Sequence, residues 1–148
     1  MDDYRRARTY LSRAYRLNQR IDAKLEQLMQ LRSLSQRCTV AFGGERVSHT
    51  RNVNSMENVI VKIVEAERRL DAQIDRFVDL KEEIQQTIDV LPDPDCRLLL
   101  ELRYLAMKRW MDVAGEMNIS RTYAHILHEK ALAMLETLLA ERGVTADV

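Results

Sequence analysis

The feature that most constrains the fold is a regular spacing of apolar residues between Met56 and Leu91. Eleven positions follow in alternating steps of four and three, and nine of them are apolar: Met56, Ile60, Ile63, Glu67, Leu70, Ile74, Phe77, Lys81, Ile84, Ile88 and Leu91. This spacing lines up side chains along one face of an α-helix. A helix of about 35 residues would be ~50 Å long, and its apolar face needs a partner.

A second stretch with helical spacing precedes it and supplies that partner. Residues 2–36 contain no Gly or Pro, and apolar residues recur in steps of three and four: Tyr4, Ala7, Leu11, Ala14, Leu17, Ile21, Leu25, Leu28 and Leu31. Residues 38–54 mix Gly, Asn and β-branched residues without a period, which predicts a loop. Asn54 and Glu57 resemble a capping box at the start of the second helix. Residues 1–90 are therefore predicted to form a long antiparallel, coiled-coil-like helical hairpin.

Composition agrees with an all-α fold. The chain has only 4 Gly and 2 Pro, and aromatic residues make up 5%, which argues against a sandwich or barrel. No apolar run approaches the ~18 residues that span a bilayer, and the first residues lack a signal-peptide core. Two cysteines, Cys38 and Cys96, cannot form a disulfide framework. We expect a cytoplasmic protein with no membrane segment.

Charge is distributed unevenly although the formal net charge is zero. Residues 1–38 carry nine basic and four acidic groups, whereas residues 56–90 carry five and nine. Arg6, Arg13, Arg16 and Arg20 share one face of the first helix, and the second helix carries acidic residues on a comparable flank: Asp71, Asp75, Asp79 and Glu82. Exposed ion pairs between them would each contribute on the order of 0–1 kcal/mol. An arginine stripe that contacts DNA is the alternative.

The C-terminal segment, residues 91–148, predicts a module of three shorter helices. Asp93 is a natural N-cap with Pro94 in the first helical position, and helices are predicted at about 94–106, 110–117 and 121–140. Asn118 tolerates the left-handed backbone of a tight turn, and Ser120 can cap the following helix. This is the layout of a helix-turn-helix, whose second helix enters the DNA major groove.

The residues of this module also resemble a known family. The stretches Leu99–Tyr104, Trp110–Gly115, Ile119–Arg121 and Lys130–Leu135 resemble the fourth region of bacterial sigma factors, over about residues 91–138. The resemblance implies promoter DNA as a ligand. The other regions of a sigma factor are missing, so the chain cannot be a complete one. The whole chain is similar to prophage-encoded proteins grouped with late-operon transcription regulators.

The predicted DNA-binding residues lie on and before the last two helices. Arg121 can bind a guanine edge or a phosphate, and Thr122 and Tyr123 can bind a phosphate or touch a thymine methyl group. His125 and His128 are predicted to face outward on the same helix, where a solvated face is the alternative. Lys108 and Arg109 precede the first helix of the motif and could bind phosphate. The full set is Arg121, Thr122, Tyr123, His125, His128, Lys108 and Arg109.

Enzymatic functions lack the necessary residues. His125 and His128 have no Cys or carboxylate cluster beside them, so no metal site is predicted. Gly43-Gly44 is not followed by the Lys-Ser/Thr of a phosphate loop. We therefore predict no enzymatic activity and no cofactor.

These observations predict a phage-derived transcriptional regulator that binds double-stranded DNA through a sigma-like helix-turn-helix. The hairpin would present a surface to RNA polymerase, to another protein or to a second copy of the chain. A coiled-coil adaptor that binds protein instead of DNA is the alternative, and a DNA-packaging subunit is a weaker one.

Overall fold

The protein is all-α in a computed structural model that describes residues 3–42 and 49–145, with side chains described for 3–37 and 56–145. The helices are α1 (Arg5–Phe42), α2 (His49–Asp89), α3 (Pro94–Leu100), α4 (Trp110–Met117) and α5 (Arg121–Glu141). The chain continues directly from α3 into a π-helical segment, Glu101–Leu105. The described residues contain no strand. The all-α fold class predicted from the sequence is confirmed.

The chain divides into two compact units. Unit 1 comprises Met1–Leu17 and Phe77–Val148, and unit 2 comprises Asn18–Arg76. The domain boundary predicted between residues 90 and 91 stays a prediction. In unit 1, one end of each long helix shares a hydrophobic core with α3, α4 and α5, in which Leu11 and Ile88 are buried with Leu132.

Within unit 1, α1 and α2 run antiparallel. The hydroxyl of Tyr10 lies 2.9 Å from that of Thr87, and Arg13 lies 3.5 Å from Glu83. Thr87 is buried and also accepts a hydrogen bond of 3.1 Å from Arg142, just after α5. These polar contacts fix the register of the two helices against the C-terminal end of α5.

The first turn of α1 is held by a residue of α5. The carboxylate of Glu136 accepts a hydrogen bond of 2.7 Å from the backbone N–H of Ala7 and lies 3.9 Å from the guanidinium of Arg6. The first N–H groups of a helix have no partner within the helix, and a carboxylate there also interacts favourably with the helix dipole. Glu136 therefore ties the start of α1 to the C-terminal helices.

In unit 2, α1 and α2 bury a narrow seam. Its buried residues are Ile21, Leu28, Val59 and Leu70, and Arg32 pairs with Glu67 at 2.6 Å. Among the residues of this unit whose side chains the structure describes, seven large apolar ones are exposed: Leu25, Met29, Leu34, Ile60, Val61, Val64 and Ile74. Unit 2 therefore presents an apolar surface as well as a core.

The predicted face of α2 is partly wrong in unit 2. Ile63 and Leu70 are at least half-buried as expected, but Ile60 and Ile74 are exposed, and Val59 is buried. The seam follows Val59, Ile63, Ala66, Leu70 and Gln73, which is a second four-three stripe that shares every other position with the predicted one.

The predicted loop is also wrong over most of its length. The backbone is helical at 38–42 and at 49–54, and residues 43–48 lie outside the described residues. Asn54 lies inside α2, which begins at His49, so the proposed capping box with Glu57 does not start the helix. The two long helices have 38 and 41 residues. A single hairpin over residues 1–90 stays a prediction.

The predicted ion pairs between the long helices are only partly seen. Arg13 pairs with Glu83, one residue beyond the predicted Glu82, and Arg6 pairs with Glu136 of α5. The acidic residues Asp71, Asp75 and Asp79 are exposed.

Candidate functional site

The turn between α4 and α5 has the predicted geometry. Asn118 adopts the left-handed conformation, with φ 55 and ψ 43, and the N–H of Ile119 donates to the carbonyl of Ala114 at 3.0 Å. The hydroxyl of Ser120 accepts a hydrogen bond of 3.0 Å from the N–H of Tyr123. The end of one helix and the start of the next are therefore both satisfied by hydrogen bonds over three residues.

Small and aliphatic residues hold α4 and α5 together. Val113 and Ala114 of α4 are buried, as are Ala124, Leu127 and Ala131 of α5. The absence of large side chains at Ala114 and Ala124 allows the helices to approach closely. The orientation of α5 is thus fixed by the core beneath it.

The opposite side of the first two turns of α5 is open to solvent. Arg121, Thr122, Tyr123 and His125 are all exposed, and an outward orientation was predicted for Arg121, Thr122 and His125. Their role in DNA binding stays a prediction. The chain also exposes Ile126 on this face, with 59% of its surface accessible, and the candidate site predicted from the sequence does not include it.

The predicted outward orientation of His128 is wrong. His128 is buried, with 7% of its surface accessible, and its Nε2 lies 2.7 Å from the hydroxyl of Tyr104. Its ring also packs edge-on against Trp110 at 4.7 Å between centroids. Burial, and secondarily the positive charge of Arg8, lowers the pKa of His128 from 6.5 to about 4. This histidine is therefore a neutral core residue beneath the site.

Trp110 connects the site to the π-helical segment. The guanidinium of Arg103 lies over its ring at 5.0 Å, and His125 lies 4.7 Å from it on the other helix. Arg103 also donates a hydrogen bond of 2.8 Å to the carbonyl of Lys108. These contacts order the segment before α4, including Met107, which has a positive φ of 57.

Lys108 and Arg109 lie at the start of α4, as predicted, but both have acidic neighbours. Lys108 forms an ion pair with Glu116, and Arg109 lies 4.0 Å from Asp112. The side chain of Arg109 is 92% exposed, whereas that of Lys108 is 35% exposed. Arg109 is therefore the more available of the two for a phosphate.

Asp93 is the N-cap of α3 and fixes the start of this helix. Asp93 accepts hydrogen bonds from the N–H groups of Asp95 and Cys96 at 2.9 and 3.3 Å, and Lys130 of α5 donates to it at 2.7 Å. The hydrogen bond from Lys130, together with these backbone bonds, lowers the pKa of Asp93 to about 2. The neighbouring Cys96 is buried, which raises the pKa of its thiol to about 11. That thiol is a core group without thiolate character.

Neither a metal-binding cluster nor a membrane-spanning helix is found in the described part of the chain. No cluster of three His, Cys, Asp or Glu side chains that could hold a metal ion is present there. Among the same residues, no helix combines the length and the apolar composition needed to cross a membrane.

The fold and the site define an all-α protein in which a short helix, a three-residue turn and a longer helix carry an exposed polar face. The chain belongs to the family described as "Protein of unknown function (DUF1492)", whose model matches residues 44–136. The match extends from before α2 into α5 and covers more than half of the chain. Comparison with curated proteins and with solved structures gave no match.

Proposed function

We propose that this protein is a DNA-binding transcription regulator whose α4, turn and α5 contact double-stranded DNA. The observation that carries the proposal is the start of α5, where Arg121, Thr122, Tyr123 and His125 are exposed while Ala124 and Leu127 anchor the helix in the core. A helix presented in this way can enter the major groove by its N-terminal end.

The sequence resemblance supports promoter DNA as the ligand and a phage as the origin of the protein. Residues 91–138 resemble the fourth region of sigma factors, which favours promoter DNA, and the whole chain is similar to prophage-encoded regulators of late operons. On this proposal the protein is of phage origin and acts in the bacterial cytoplasm. The two long helices would then contact RNA polymerase or a second copy of the chain.

The test is the replacement of Arg121 by Ala. Arg121 is exposed on the first turn of α5 and is the basic residue of that turn. If it binds a guanine, we expect a loss of about 1–3 kcal/mol of specific DNA affinity and a relaxed preference at one base pair. If it binds phosphate alone, the loss should be similar for all sequences, with a shallower dependence on salt.

The matched control is Arg68→Ala, which removes an exposed arginine from α2. It should leave DNA affinity within about twofold of the wild type, because exposed surface substitutions away from a contact have small effects. Full DNA affinity in a folded Arg121→Ala variant would contradict the proposal for this residue.

A protein-binding adaptor is the second candidate, and the exposed apolar residues of unit 2 favour it. Leu25, Met29, Ile60 and Val64 remain accessible on α1 and α2, and extensive exposed apolar surface marks interaction sites. Salt distinguishes the two functions. DNA binding weakens as salt rises because counterions are released from the phosphates, whereas an apolar contact between helices does not weaken in this way.

A further inference from the structure

We infer that Ile126 reads a 5-methyl group of a pyrimidine, thymine in unmodified DNA, at the centre of the α5 interface. The inference rests on the proposed function, because it assigns a specificity-determining contact within the same DNA-binding face. It goes beyond that proposal in naming the residue and the chemical group that it recognises.

The position of Ile126 on α5 is the first argument. The residues that form the buried face of this helix are Ala124, Leu127, His128, Ala131, Leu132, Leu135 and Leu139. At 100° per residue, Thr122, Ile126 and Glu129 lie opposite that face. Ile126 therefore projects furthest from the core, where a side chain of a groove-bound helix comes nearest to the base edges.

The second argument is the chemistry of the neighbours. Arg121 and His125 lie on one side of the line through Thr122 and Ile126, with His125 against Trp110. Tyr123 and Lys130 lie on the other side, with Lys130 bound to Asp93. The polar groups thus flank the centre, and the centre itself carries the methyl groups of Thr122 and Ile126.

The third argument concerns which base the apolar side chain of Ile126 can recognise. Ile126 has no hydrogen-bonding group on its side chain, so it cannot satisfy the donors or acceptors of a base edge. The apolar group in the major groove is the 5-methyl of thymine, and apolar side chains contact it. Glu129, the next residue on this line, is paired with Arg8 at 3.7 Å, which partly compensates its charge near the phosphates.

The experiment measures the effect of single methyl groups. Random duplexes are enriched on the full chain, and the preferred site is then synthesised with deoxyuridine in place of each thymidine in turn. Wild-type protein should bind one of the substituted duplexes on the order of fourfold more weakly, the effect of one buried methyl group. Ile126→Ala should bind the thymidine and deoxyuridine forms of that site equally.

Matched variants assign the effect to a residue. Met111→Ala removes another exposed apolar side chain, from α4, and should keep the wild-type ratio between the two duplexes. Loss of the ratio in Thr122→Ser with retention in Ile126→Ala would overturn the inference. A preferred site that contains no thymidine, or one whose binding is unchanged by every deoxyuridine, would also overturn it.

The same experiment separates the inference from the function on which it rests. If no duplex is retained or enriched, the proposed DNA-binding function fails and the inference fails with it. If a site is enriched but its methyl groups do not matter, the function stands and the inference alone is wrong.

Discussion

Replacing Leu99 with Ala is expected to lower the free energy of unfolding by about 2–5 kcal/mol. Leu99 lies on α3 and is 0% exposed, in the core that joins both long helices to α5. The substitution removes buried apolar surface and leaves a cavity that close-packed neighbours fill only in part. Chemical denaturation, followed by helical circular dichroism, measures the change.

The adjacent leucine provides the control for this prediction. Leu98 is on the same short helix but is 42% exposed, so Leu98→Ala should lower the free energy of unfolding by less than about 1 kcal/mol. Equal losses in the two variants would contradict the burial of Leu99 in this core.

Acid is expected to destabilise the protein through His128. The folded state keeps this imidazole neutral down to a pKa of about 4, whereas the unfolded chain takes up a proton near 6.5. The free energy of unfolding is therefore independent of His128 above pH 6.5. It falls as the pH drops from 6.5 towards 4, and it falls no further below that. With allowance for partial solvent screening, the loss should be about 2–3 kcal/mol.

Two glutamine variants isolate this effect. His128→Gln cannot take up the proton, so its difference in unfolding free energy between pH 7 and pH 4 should be smaller than that of the wild type by the same amount. His125→Gln, at the exposed histidine one turn earlier, removes only a minor cause of the lowered pKa of His128 and should therefore reduce the wild-type difference by much less. A full acid-induced loss in His128→Gln would show that His128 is not the group responsible.

The C-terminal helices could be predicted from the sequence because local chemistry marks their ends. Asp93 before Pro94 marks the start of α3, and Asn118 and Ser120 mark the turn between α4 and α5. Each of these residues has the predicted backbone geometry or capping hydrogen bond. Backbone groups at helix ends need partners within a few residues, so the sequence nearby carries the information.

The face of α2 could not be predicted in the same way. Val59 and Ile60 are adjacent and both apolar, so two stripes with the same four-three spacing run along the helix. Spacing alone does not choose between them. The choice depends on which stripe packs against α1, and that is a property of the tertiary structure.

His128 shows the corresponding limit for the candidate site. His128 lies among the buried residues of α5, between Ala124 and Leu132 around the helix, whereas His125 lies outside this face. His128 packs against the ring of Trp110 and forms a hydrogen bond with the hydroxyl of Tyr104. Both contacts hold its side chain in the core. The signal in the sequence is the Tyr104 hydroxyl, which needs a hydrogen-bond partner when buried, but the sequence does not show that Tyr104 and His128 lie close together.

The most direct test of the central claim is the enrichment of random DNA duplexes on the purified full chain, followed by titration of the preferred site at several salt concentrations. Lys108, Arg109, Arg121 and Lys130 are the basic residues in and directly before α4 and α5. Neutralisation of about three to four phosphates by such residues predicts a slope of about −2.7 to −3.6 for log K against log salt. The account predicts one enriched motif with that slope. Retention of no duplex, or binding that does not change with salt, would contradict it.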